Sequence, residues 1–108
     1  MIVRRFRAKA SIANAKAYAV FFRDVLTPQL REIPGHRGAL VLSEERATNT
    51  RIIVLTFWES MDAIRTFAGK NVNHAVVEPE ARQLLSSYDE EVTHHVVEVN
   101  TLDRPAIS

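Results

Sequence analysis

The stretch Arg51-Ile-Ile-Val-Leu-Thr-Phe-Trp-Glu-Ser60 reads as a strand running into a helix cap. Its odd positions Ile53, Leu55 and Phe57 are apolar, and so are its even positions Ile52, Val54 and Trp58. A strand of a small antiparallel sheet ordinarily keeps one face polar and wet. This strand needs a cover on both faces, so the covers available in the rest of the chain have to be counted.

Ile2 to Lys9 reads as a first strand. Ser11 caps a long helix on which Ile12, Ala15, Ala19, Phe22, Leu26 and Leu30 recur at steps of three and four. Pro28 lacks an N–H and costs about 3 kcal/mol in a helix interior, which predicts a kink or restart near Thr27. Pro34-Gly35 marks a stop and a turn, after which His36 to Arg46 reads as a strand centred on Ala39-Leu-Val-Leu42. Ala47-Thr-Asn-Thr50 turns that strand into the one quoted above, forming a hairpin. Ser60 caps a helix over Met61 to Ala68, with Asp62 near its positive end and Gly69 past its last turn. Lys70 to Glu78 is ambiguous. Pro79 opens a short helix through Ser87, turning Leu84, Leu85 and Tyr88 inward, and Val92 to Val99 is a last strand.

The order strand, helix, strand, strand, helix, strand is the βαββαβ pattern of an α+β, ferredoxin-like fold with an antiparallel sheet. Two helices cover one face of such a sheet and nothing in the chain remains for the other. Leaving each large apolar side chain wet forgoes about 1.5–3 kcal/mol, and the neighbouring strands are again apolar on both parities, with Ala39, Val41 and Leu40, Leu42 on one and Val97, Val99 and Val92, Val96 on the other. A second copy of the sheet is the simplest cover, and two-fold self-association is the commonest oligomer. A homodimer packed sheet against sheet is expected, with the parity that meets the partner left open.

The whole chain bounds the rest. Its 108 residues, 46% hydrophobic and 25% charged, suit a single globular domain over residues 1–100 with a loose tail at 101–108. There is no cysteine, which fits a reducing cytoplasm. The first residues carry basic side chains with no apolar run after them, so no signal peptide is expected, and no stretch is long enough for a membrane span. A net charge of +1 does not argue for nucleic acid. RNA-recognition domains share this element order, but their third strand carries glycine and exposed aromatics for base stacking; here Ile53, Val54 and Leu55 stand instead.

Five segments carry a resemblance to a known family: MIVRRFR (1–7), LREIPGHRGALVL (30–42), VLTFWESMDAIRTFAG (54–69), AVVEPEARQLL (75–85) and VTHHVVEV (92–99). Together they resemble the antibiotic biosynthesis monooxygenase-like proteins, whose fold is a dimeric α/β barrel. The resemblance implies a small oxygenase without bound metal or flavin, acting on an aromatic or quinol-type molecule. It equally allows a non-catalytic dimeric module that binds a small ligand or serves in stress response. Haem-degrading relatives place a functional Trp where Phe67 stands and use an Asn on the first strand and a His later on that helical segment. Here Arg5 and Arg7 flank Phe6 with no Asn, and His74 falls at a different spacing, so no cofactor is expected.

Within that resemblance Arg4 and Phe6 lie toward a pocket between sheet and helices. Arg4 is expected to stabilise a phenolate, against the alternative of an ion pair with Glu59, Glu90 or Glu91. His94 is the other catalytic candidate, against the alternative of a hydrogen-bonded core histidine. Phe6, Phe22, Trp58 and Phe67 are expected to wall the ring, although a Trp at a strand end before a cap, as Trp58 is, more often anchors the helix to the sheet. His94 and His95 are neighbours on a strand and point to opposite faces, and Glu91 and His94 likewise diverge, so no metal site is expected.

Overall fold

The computed structural model describes residues 1–102; the part of the expected tail from residue 103 onward lies outside the described residues. Strand β1 (Ile2–Ala10) is followed by helix α1 (Ile12–Phe21), a π-helical turn (Phe22–Leu26) and helix α2 (Thr27–Arg31). The hairpin β2 (His36–Glu45) and β3 (Thr50–Trp58) comes next, then α3 (Met61–Ala68), α4 (Pro79–Leu84) and two short strands, β4 (Ser87–Tyr88) and β5 (Thr93–Val96). The sheet is antiparallel in the order β2-β3-β1, with β4 and β5 both on the far edge of β1. This is the expected βαββαβ architecture with its last strand broken in two.

Local chemistry explains the element ends. The Ser11 and Ser60 hydroxyls accept from the N–H groups of Asn14 and Ala63, three residues on. The restart anticipated at Thr27 takes the form of the π-helical turn. Pro28 removes an N–H from the ladder, and the Phe22 carbonyl instead accepts from the Thr27 N–H and the Thr27 hydroxyl. Gly35 has φ +89°, and a Cβ there would stand 2.6 Å from the Cβ of Ala63. Both its backbone conformation and its close approach to α3 exclude a side chain.

Three expectations are corrected. On α1, Tyr18 rather than Ala19 turns to the core, because the stripe drifts around the 3.6-residue turn; Ala19 is exposed. Helix α4 ends at Leu84 rather than Ser87, and Tyr88 joins the sheet opposite Ala8. The final strand is Thr93–Val96 because residues 90–92 leave the β1 edge and pair with the preceding loop. There the Ala75 N–H donates to the Glu90 carbonyl at 2.7 Å and the Val92 N–H to the Asn73 carbonyl at 2.8 Å.

The parity of β3 is now fixed. Thr50, Ile52, Val54, Thr56 and Trp58 are buried on the helix side. They align with Ala10, Ala8, Phe6, Arg4 and Ile2 on β1, and α1 lies against β1, β2, β3 and α4. Ile53, Leu55 and Phe57 face the other way, half-exposed, beside Leu40 (39% exposed) and Leu42 (43%) on β2.

Candidate functional site

A cavity of about 310 Å³ opens between the inner face of the sheet and the helices. Each wall follows from the pattern of its element. β1 and β3 contribute Arg4, Phe6, Val54 and Thr56 because alternate residues share one face. Tyr18, Phe22, Leu26 and Leu30 come from the apolar stripe of α1, the π-helical turn and α2. Phe67 enters from α3, and Val76, Val77 and Glu78 from the segment that was ambiguous in sequence.

Of the expected site residues, the fold brings Arg4, Phe6, Phe22 and Phe67 to the cavity, while Trp58 and His94 stand behind its wall. Trp58 is 0% exposed. Its ring meets His36 edge-on at 4.9 Å and Phe67 at 5.4 Å, and its Nε1–H donates to Thr56 Oγ1 at 2.9 Å. It backs Phe67 and Thr56, which are themselves in the wall.

Arg4 is the polar centre of the site. It is 4% exposed, and among the described residues none of its partners is a carboxylate, so the ion pairs with Glu59, Glu90 or Glu91 do not form. One Nη donates to the Val72 carbonyl and contacts His94 Nε2 at 3.0 Å; the other donates to the His74 carbonyl at 2.8 Å. The guanidinium also lies 5.6 Å from the Phe67 ring centroid. Burial pulls its pKa down to about 10, which still leaves it charged at neutral pH.

Because a guanidinium has donors only, His94 must accept from it through Nε2 and carry its proton on Nδ1. Burial, and then the charges of Arg4 and His95, push His94 below the usual imidazole value. Its accepting nitrogen is taken up by Arg4, so the ring orients the guanidinium and has no free base directed at the cavity. His95, on the opposite face, is exposed and bonded to Thr93 Oγ1 at 2.9 Å.

Three contributors had no place in the sequence reading. Tyr18 and Thr56 are buried in the wall, and Glu78 adds a carboxylate. Burial, reinforced by the charge of Glu78, raises the Tyr18 phenol above its ordinary value and keeps it protonated. Parity with Val54 and Trp58 on β3 would have found Thr56 once the helix-side face was known. The Lys70–Glu78 loop carries no periodic signal; its backbone bonds with Glu90 and Val92 and its carbonyls' bonds from Arg4 come from residues distant in sequence.

Among the described residues no three His, Asp or Glu side chains converge on a metal. The cavity wall offers neither an imidazole nor a thiolate, and its phenol is held protonated, a donor set that does not fit haem ligation.

Solved structures share this fold. A protein of Deinococcus radiodurans bearing the name antibiotic biosynthesis monooxygenase matches with a TM-score of 0.60 and 15% identity, over 96% of this chain and 99% of its own. A monooxygenase from the gene ActVA-Orf6 of Streptomyces coelicolor, in complex with nanaomycin D, matches with a TM-score of 0.60 at 14% identity, over 95% and 92%. A point mutant of MhuD, with two manganese protoporphyrin IX molecules per active site, matches with a TM-score of 0.60 at 17% identity, over 94% and 99%. At these identities the likeness is one of fold. No protein-family profile and no curated protein sequence matches the chain.

Proposed function

We propose that the protein is a cofactor-independent oxygenase of a small aromatic or quinol-type molecule, bound between sheet and helices. The observation that carries this reading is Arg4, a buried cation at the wall of an apolar cavity with no carboxylate partner among the described residues. Such a group favours a ligand that brings its own negative oxygen. Phe6, Phe22 and Phe67 supply flat apolar surface for a ring.

In the reaction we assign to it, a phenol loses its proton and the phenolate is held by Arg4. Electrons then pass from the ring to dioxygen, one oxygen atom enters the ring and the other leaves as water. A phenol plus O₂ thus becomes a quinone plus water, with the substrate as the sole reductant. Glu78, the carboxylate on the wall, is the base we assign to the first step, and His94 is a positioning residue for Arg4. We assign the outer sheet face, with Ile53, Leu55 and Phe57, to a second copy of the chain.

Oxygen uptake and quinone absorbance with a panel of polycyclic phenols test the reading. Activity is expected in the wild type and is abolished in Arg4→Met; His94→Ala lowers it with a raised KM. Ligand binding without oxygen uptake points instead to a non-catalytic binding module. Full activity in both variants overturns the assigned roles.

A further inference from the structure

Thr56 is 7% exposed and lines the cavity beside Arg4, its partner in the register of β1 and β3. An indole N–H can only donate, so the bond from Trp58 Nε1 at 2.9 Å occupies a lone pair of Thr56 Oγ1. The hydroxyl proton is turned away from Trp58, and no described residue accepts it. On Arg4 the Nη1 donors are engaged and Nη2 has one partner, which leaves the Nε–H and one Nη2–H free among the described residues. Donors at the wall of an apolar cavity that lack a protein acceptor are available to a ligand. Both residues line the same apolar cavity from paired positions on neighbouring strands.

We propose that Arg4 and Thr56 form a two-residue oxyanion site, with Trp58 as the positioning residue that locks the Thr56 hydroxyl into its donating orientation. The ligand class is an aromatic compound with an ionised ring oxygen, such as a phenolate or a hydroxyquinone enolate. This rests on the reading of the cavity as an aromatic-ligand site, and it gives Trp58 a task that needs no contact with the ligand.

The probes are 2-hydroxy-1,4-naphthoquinone, an anion at neutral pH, and its neutral 2-methoxy ether, with binding followed by absorbance and by the fluorescence of the only tryptophan, Trp58. The wild type is expected to prefer the anion. Thr56→Val reduces that preference about tenfold, the loss of one hydrogen bond to a charged group, and Thr56→Ser restores it. Trp58→Phe, read by absorbance, frees the hydroxyl to rotate and reduces the preference about threefold. Should Thr56→Val fail to fold because the Trp58 donor is orphaned, the double variant Thr56→Val with Trp58→Phe removes both partners and reads the same tenfold loss. An unchanged preference in these variants, with the preference lost in Arg4→Met, overturns the role of Thr56 and leaves the cavity reading standing. Failure of the wild type to bind either probe overturns both.

Discussion

On strand β3, Ile52, Val54 and Trp58 are buried beneath the helices, while Ile53, Leu55 and Phe57, each one residue away from them, are half-exposed on the opposite face. The apolar content of the two sets is alike. Their polar neighbours are not: the inner face carries Arg4 and Thr56 next to a cavity, whereas the outer face mixes Leu40 and Leu42 of β2 with Arg5, Arg7 and Lys9 of β1. The same strand thus serves two ends, one face building a pocket and the other presenting a surface. Hydrophobicity alone does not tell a core face from an interface face.

Three experiments break or sharpen that comparison. The largest effect is expected on the inner face. Trp58→Ala removes a fully buried ring that backs Phe67 and Thr56 and should cost about 3–5 kcal/mol in denaturant unfolding. A loss as small as that of an exposed residue would show that the inner face is not the core. On the outer face, Leu55→Glu places a charge at the centre of the surface assigned to the partner. The assembly should fall from twice 12.2 kDa to 12.2 kDa in light scattering, forgoing about 1.5–3 kcal/mol of burial per subunit. A wild type that is already monomeric removes the argument for the second face.

The smallest effect concerns the inner-face histidines. Burial lowers the pKa of His36, with Arg31 adding to it, and burial and then Arg4 and His95 lower that of His94. Both are held neutral in the folded chain while the unfolded chain takes up protons below 6.5. The unfolded state then binds more protons, so this stability is present above that value and is lost as pH falls through the lowered folded values. Thermal unfolding between about pH 7 and 5 should show a falling midpoint, with a shallower slope in His36→Phe and in His94→Asn. An unchanged slope in both would mean that neither ring is held neutral by the fold.

Much of this architecture was legible because it rests on local rules. Ser11 and Ser60 read as caps and act as caps; Pro28 announced the break that the π-helical turn provides; Gly35 turned the chain where a side chain would strike Ala63. The site was legible only in part. Arg4, Phe6, Phe22 and Phe67 share a cavity, but the environment of each comes from residues far away in sequence. Arg4 depends on carbonyls of a loop some seventy residues on, and Thr56 meets Arg4 only through the register of β1 and β3.

By itself the sequence determined the element order, the caps, the hairpin and the existence of two apolar faces, since these follow from periodicity and backbone preference within a few residues. The tertiary structure alone decided which parity of β3 faces the helices, that Trp58 supports the wall instead of forming it, and that Arg4 is buried with no carboxylate partner among the described residues. Those outcomes depend on which distant side chains and carbonyls come within hydrogen-bonding distance, and a one-residue change of register would reverse them all.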